Sequence, residues 1–255
     1  MNWDALSVAG PAFLAGLLVV ATHAPLGIQV LNRGIVFIDL AVAQIAGIGV
    51  ILADRMGFEA QGWAVQVAAL SAALVGAVVL NLFEKYWPEI QEALIGVVFV
   101  LAASAVPILL TGNPHGGEQL KDLLVGQILW VRLDVLAWCL AAYAAILIAW
   151  FGFREKLGRV GFYLLFACAV TVSVQLVGLY LVFASLIIPA LATRKAARGR
   201  LFLAYAIGVL GYAAGLAASL ASDVPAGPAI VWALAAFGIV FASVFAMNAK
   251  RQAVS

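Results

Sequence analysis

The sequence predicts an all-α polytopic membrane protein with about nine transmembrane helices, its N-terminus outside and its C-terminus in the cytoplasm. Of the 255 residues, 66% are hydrophobic and 10% are charged, whereas soluble domains carry about 25% charged residues. Residues 160–193 contain neither a charged residue nor a histidine, and basic residues stand on both sides of them. We therefore expect the whole chain, residues 1–255, to form a single transmembrane domain.

The uncharged run 160–193 is too long for one membrane crossing. A single helix of that length would rise about 50 Å, well beyond a hydrocarbon core of about 30 Å. Arg159 precedes the run and Arg194 follows it, and basic loops stay in the cytoplasm. The run is therefore expected to enter the membrane, turn near residues 175–178 and return as a second short helix. If it were one broken helix instead, the chain would have eight spans.

The other spans are apolar stretches separated by polar or basic breaks. A transmembrane helix needs about 20 mostly apolar residues, and seven further stretches have about that length. In chain order they are residues 6–31, 35–53, 63–83, 91–110, 131–151, 201–220 and 229–247. The longest polar stretch between spans, residues 111–122, is expected to be an outer loop.

The basic residues set the predicted orientation. With nine spans and the C-terminus inside, only Arg55, Lys121 and Arg132 of the 14 lysines and arginines lie outside. Such an excess of basic residues is typical of cytoplasmic loops. This excess of basic residues on the cytoplasmic side is lost if the protein has the opposite orientation in the membrane. It is also lost if residues 160–193 cross the membrane only once.

Several classes of protein lack support in the sequence. Cys139 and Cys168 both lie in apolar stretches, which argues against a disulfide framework. The sequence contains no GxxxxGK[ST] phosphate-binding loop and neither an HExxH nor a GxSxG motif. We therefore expect a protein that is not an enzyme and has no ATPase site, so that any energy source is another polypeptide.

Four stretches of the sequence carry a recognisable pattern. They are residues 25–50, with a basic turn and an Asp-bearing helix, residues 91–99 (QEALIGVVF), residues 172–194 and residues 222–231. Together they resemble the permease subunits of the zinc, manganese and iron class of ABC importers. The third, VSVQLVGLYLVFASLIIPALATR, is the most specific. The resemblance implies a type II importer-like permease bundle in the cytoplasmic (inner) membrane of a bacterium.

The resemblance also implies partners and a cargo. Two permease chains, as a homodimer, would work with cytoplasmic ATP-binding cassette ATPases and an extracytoplasmic metal-binding protein. The chain would hold no cofactor of its own, because ATP is bound by the partner subunit and the divalent metal is the transported substrate. The sequence does not choose between zinc, manganese and iron.

Two features depart from the family pattern. The family's second helix often carries a histidine a few residues after its aspartate, where this chain has Ala43 and Gln44. The cytoplasmic segment 151–162 is also shorter than the family's, which usually contains a helix that contacts the ATPase. This short segment is the feature that favours the alternative function, an ATP-independent secondary transporter or channel for a metal or small solute.

Two polar residues within the spans are candidates for the transport path. His23 is the histidine inside a span, and neutral imidazole is a common ligand of transition metals. Alternatively, it bonds the carbonyl of Ala21, which Pro25 leaves free. Asp39 is expected to contact the passing cation, since carboxylates in spans face a cavity or a partner. Its alternative roles are an ion pair with Arg33 and a favourable charge at a helix N-terminus.

Three further candidates lie at the ends of the predicted spans. Glu92 opens the fourth span from the cytoplasm, either near an inner gate or as an ordinary helix N-terminal acid. His115 and Glu118 lie in the predicted outer loop. They would either receive the cation near the entrance of the path or be ordinary polar loop residues.

Overall fold

The computed structural model describes residues 3–58, 62–111, 113, 115–196 and 198–252. Within these ranges the secondary structure is helical and includes no β-strand. Short 3-10 turns, Pro88–Ile90 and Ile128–Trp130, precede α4 and α6. The α-helices are α1 (Trp3–Arg33), α2 (Ile38–Arg55), α3 (Trp63–Tyr86), α4 (Gln91–Leu110), α5 (Gly116–Val125), α6 (Leu133–Val177), α7 (Leu179–Ala192), α8 (Arg200–Ser222) and α9 (Ala226–Gln252).

Helix α6 consists of two arms joined by a turn. The arms cover Leu133–Phe153 and Lys156–Val177. Between them the backbone leaves helical geometry at Phe153 and again at Gly158, whose φ is +56°. A positive φ is readily accepted by glycine, because it has no Cβ. We call this segment, residues 153–159, the α6 turn.

Side-chain contacts show that the two arms of α6 run antiparallel. The rings of Trp150 and Phe162, on either side of the α6 turn, have centroids 6.0 Å apart. Further from the turn, the Tyr143 hydroxyl lies 2.6 Å from Ser173 Oγ. The arms therefore form the fifth and sixth predicted spans, with the reversal where the sequence predicts it.

Seven helices or helix arms in the described part of the chain are long and apolar enough to cross a membrane. Two of the nine predicted spans are not among them. Helix α2 carries Asp39, Asp54 and Arg55 in its 18 residues, and α7 has 14 residues, which rise about 21 Å.

Both ends of residues 160–193 nevertheless lie beside the end of α1. Arg33 lies over the ring of Phe162, and Arg200 bonds both Asn32 and the Ala190 carbonyl. The chain therefore reverses at Gly178, and these residues form a hairpin rather than one broken helix.

The helix ends meet in two groups at opposite ends of the bundle. At one, which we call the basic end, Arg33 of α1 bonds Glu84 of α3 at 3.0 Å. There the Phe37 backbone N–H, just before α2, donates to Glu92 of α4 at 3.2 Å. Contacts of the same end are Gln91 with Tyr163, Arg159 with the Glu84 carbonyl, and Arg200 with Asn32 and the Ala190 carbonyl.

At the other end, which we call the opposite end, α2 finishes beside the end of α4. Arg55 donates to the carbonyl of Thr111 at 3.3 Å. Helix α5 lies at this end, within and just after the polar stretch 111–122 that the sequence predicts to be an outer loop. The helix forms because Leu120 and Leu123 pack against a small cluster of buried side chains. That cluster is Ile51, Val106 and Leu110.

The break between α6 and α7 lies at Gly178, as the sequence predicts. Gly178 has a φ of +83°, and Gly126, which follows α5, has a φ of +71°. The two glycine backbones are in direct contact, and a Cβ on either residue would collide with the other. Gly227 of α9 approaches the Val125 carbonyl at the same place. The segment after α5 therefore covers the non-helical backbone of the hairpin.

Substitution of Gly178 by alanine should destabilise the protein, since alanine disfavours a positive φ and its Cβ would meet the Gly126 backbone. We expect a loss of at least about 2 kcal/mol in the free energy of unfolding. The measurement is denaturant unfolding of the purified protein in mild detergent. Gly96→Ala in α4 is the matched control, because nothing lies within 4 Å of its added Cβ. Equal stability of the two variants would contradict the close contact.

Candidate functional site

Asp39 is buried at the basic end of the bundle. It lies in the first turn of α2, it is 0% exposed, and neither carboxylate oxygen has a hydrogen-bond partner among the described residues. The predicted ion pair with Arg33 is wrong, because Arg33 bonds Glu84 instead. The helix N-terminus stabilises the charge in part. A buried carboxylate without a partner is costly, so this group is available to a ligand.

Glu92 is a second carboxylate at the same place. Its Oε1 accepts the Phe37 backbone N–H, while its Oε2 is buried and has no partner in the described part of the chain. Asp39 lies two residues after Phe37, so both carboxylates are close to the start of α2. Carboxylate oxygens are the ligands that hard divalent cations prefer. Each of the two carboxylates can therefore accept a cation.

His23 is enclosed in the middle of α1, with 0% of its surface exposed. Its Nδ1 lies 3.0 Å from both the Thr22 hydroxyl and the carbonyl of Val19. Because a carbonyl can only accept, the second contact favours the tautomer with the proton on Nδ1. Its Nε2 is buried without a partner among the described residues and has the free lone pair that binds metals. The predicted bond to the Ala21 carbonyl is wrong. That carbonyl, freed by Pro25, accepts from Tyr205 of α8 at 3.1 Å.

His115 and Glu118 lie together at the opposite end, at the start of α5. His115 Nδ1 is 3.5 Å from Glu118 Oε2, and the two side chains are 77% and 82% exposed. They belong to a helix N-terminus rather than to a flexible loop, because Glu118 is in the first turn of α5. An exposed imidazole and carboxylate at this spacing can exchange a cation with solvent.

The five candidate residues therefore lie at three levels of the bundle. Asp39 and Glu92 are at the basic end, and His115 and Glu118 are at the opposite end. His23 lies between these levels, about 15 Å from Arg33 by the rise of α1. In the described part of the chain, no three or more His, Cys, Asp or Glu residues gather into a potential metal site. The arrangement fits a row of separate contacts better than one tight site.

Buried hydroxyl pairs are polar contacts that the sequence does not reveal. Tyr143 meets Ser173 between the arms of α6, and Ser185 of α7 lies 2.9 Å from the hydroxyl of Tyr212 in α8. Both tyrosines are almost fully buried. Tyrosine near span ends usually marks the membrane interface, and nothing in the sequence pattern shows that these two face serines on other helices.

Comparison with known proteins agrees with this architecture. The manganese transport system membrane protein MntC of Halalkalibacterium halodurans is 28% identical over 243 residues, covering 86% of this chain and 81% of that protein. The structure of PsaBC from Streptococcus pneumoniae in complex with Fab matches with a TM-score of 0.75. It is 21% identical, with 93% of each chain covered.

A second solved structure, a metal-chelate type ABC transporter in an inward-facing conformation, matches with a TM-score of 0.65. It is 18% identical and covers 93% of this chain and 85% of that one. At such low identity these structures show the fold alone. The family evidence comes from the sequence profile of the ABC 3 transport family, which matches residues 6–162 and 152–246. Because these matches span almost the whole chain, the protein belongs to the ABC 3 transport family.

Proposed function

We propose that this chain is the permease subunit of an ABC importer that moves a divalent transition metal into the cytoplasm. The observation that carries the proposal is the family match over residues 6–162 and 152–246. A separate ATPase subunit supplies the energy, and the chain itself contributes the membrane path. The row of Asp39, Glu92, His23, His115 and Glu118 provides oxygen and nitrogen ligands at both ends and in the middle of that path.

Manganese is the first cargo to test. The curated relative is named for manganese transport, and three of the five candidate residues are carboxylates, which suit Mn²⁺ better than softer ligands do. Zinc and iron are the other members of the same cargo class. His115 and Glu118 would take the cation at the entrance, and Asp39 with Glu92 would release it.

The proposed topology has nine crossings, with the N-terminus outside and the C-terminus in the bacterial cytoplasm. Its support is the division of helix ends between the basic end and the opposite end, since α2 and α7 connect the two as the longer helices do. Arg33, Arg159 and Arg200 share the basic end, which then faces the cytoplasm. Residues 1–255 form one permease domain in this arrangement.

The proposed partners dock at the two ends. At the basic end the α6 turn and residues 194–200 would meet the cytoplasmic ATPase. At the opposite end residues 54–62, 111–122 and 222–228 would meet the metal-binding protein. A second copy of the chain completes the path at the dimer axis. The α6 turn is shorter than the family segment that usually contacts the ATPase. An ATP-independent transporter is therefore the competing function.

Co-purification tests the ATPase partner. The tagged chain, extracted from its native membrane in mild detergent, should retain a nucleotide-binding subunit in one-to-one ratio, because the family works as such a complex. Quantitative mass spectrometry of the purified sample measures this ratio. Reproducible absence of that subunit would favour the ATP-independent transporter.

Asp39→Asn should reduce Mn²⁺ uptake by about ten-fold or more while leaving membrane insertion intact. The amide keeps the shape of the side chain but removes the charge that attracts a divalent cation. Uptake of radioactive Mn²⁺ by cells that lack other manganese importers measures the effect. Asp134→Asn, which affects an exposed ion pair with Arg132, is the matched control. Normal uptake by Asp39→Asn would remove this residue from the path.

Cysteine labelling tests the orientation. In a chain whose Cys139 and Cys168 are replaced by alanine, a cysteine at Gly117 should react with a membrane-impermeant maleimide added to intact spheroplasts. A cysteine at Lys195 should react only after the membrane is opened, because the basic end faces the cytoplasm. The reverse pattern would overturn the proposed topology.

A further inference from the structure

An ion pair at the basic end joins the ends of two helices that are far apart in the chain. Arg33 Nη1 donates to both carboxylate oxygens of Glu84, each at 3.0 Å. The guanidinium also lies over the ring of Phe162 in the second arm of α6, 4.4 Å from its centroid. The two charged side chains are only 21% and 23% exposed. Partial burial strengthens such a pair relative to one in open solvent.

A buried tyrosine extends this ion pair to α4. Tyr163, which follows Phe162, is 1% exposed, and its hydroxyl accepts from Gln91 Nε2 at 2.5 Å. Its ring and that of Phe162, over which the Arg33 guanidinium lies, have centroids 5.6 Å apart. Gln91 is the first residue of α4 and is 7% exposed. Arg33, Glu84, Tyr163 and Gln91 thus connect the ends of α1 and α3 with the second arm of α6 and the start of α4; we call them the basic-end network.

The basic-end network has a neighbour on each side. On one side, Arg159 at the edge of the α6 turn donates to the backbone carbonyl of Glu84 at 3.5 Å. On the other side, Gln91 precedes Glu92, whose carboxylate holds the Phe37 N–H beside the start of α2. Asp39 lies in the first turn of that helix. A continuous series of contacts therefore runs from the α6 turn to the carboxylates of Glu92 and Asp39.

We propose that the basic-end network positions Asp39 and Glu92 according to the state of the α6 turn. Its four members are positioning residues for release of the metal. The other three act on the carboxylates through Gln91, the first residue of α4. This inference rests on the proposed function, because it assigns the ATPase to the α6 turn. Movement of the turn on ATP binding would shift Glu84 and Tyr163, and with them the end of the path.

The chemistry of the network suits two discrete arrangements. Each member is held by another member, so loss of one contact leaves a buried polar or charged group unsatisfied. Arg33 Nε is already buried without a partner among the described residues, and it is free to take a new acceptor when the carboxylate moves. The network therefore favours a switch between two bonded states over a gradual deformation.

The test is the amount of Mn²⁺ imported per ATP hydrolysed by the complete complex in proteoliposomes. Tyr163→Phe removes one hydroxyl and keeps the ring that packs against Phe162. We expect the import-to-hydrolysis ratio to fall at least about five-fold, while ATP hydrolysis continues. Tyr143→Phe is the matched control. It removes an equally buried hydroxyl that bonds Ser173 away from the network, and it should leave the ratio unchanged.

A charge exchange provides a second measurement. Arg33→Glu alone places two acids together and should lower the import-to-hydrolysis ratio. The double variant Arg33→Glu with Glu84→Arg restores an opposite-charge pair and should recover at least half of the wild-type ratio. A role in folding alone predicts lower yield with an unchanged ratio. A wild-type ratio in both Tyr163→Phe and Arg33→Glu would overturn the proposal.

Failure of this inference is distinguishable from failure of the proposed function. If the wild-type complex hydrolyses ATP and imports Mn²⁺, the proposed function stands whatever the variants do. If the wild-type chain imports Mn²⁺ without an ATPase, the proposed function fails, and the assignment of the network to ATP coupling fails with it.

Discussion

The fold depends on the covering of one stretch of non-helical backbone. In a bilayer, amide and carbonyl groups outside a helix must find partners in the protein, because lipid offers none. The hairpin of residues 160–193 turns at Gly178, whose N–H donates to the Val174 carbonyl and whose carbonyl accepts from the Val182 N–H. Gly126 lies against this turn, and this contact requires α5 and the following turn to fold back over the bundle.

The second determining feature is the gathering of charge at the basic end. Loops there must remain hydrated, yet the ends of α1, α3, α4 and α6 come close enough to bury part of their polar side chains. Arg33 resolves the conflict by pairing with Glu84 and stacking on Phe162. Arg33 is thereby committed to Glu84, and the buried Asp39 has no hydrogen-bond partner among the described residues.

The sequence predicts the helices well because each is a local pattern. The apolar stretches, the reversal before Tyr163 and the break at Gly178 all follow from composition and flanking charge. Side-chain partners are predicted poorly because they depend on helices that are distant in the chain. The sequence offers Asp39, six positions away, as a possible partner of Arg33, whereas the partner is Glu84, 51 positions away. Helix α5 is not predicted because two glycines and several polar residues obscure the pattern of its leucines.

The glycine contact at the opposite end has a mechanical consequence. The segment at Val125 and Gly126 touches the tip of the hairpin and the first turn of α9 near Gly227. Backbone atoms in contact cannot adjust by changing rotamer, as long side chains can. A movement that tilts α5 is therefore expected to displace the end of α6, the start of α7 and the start of α9 together.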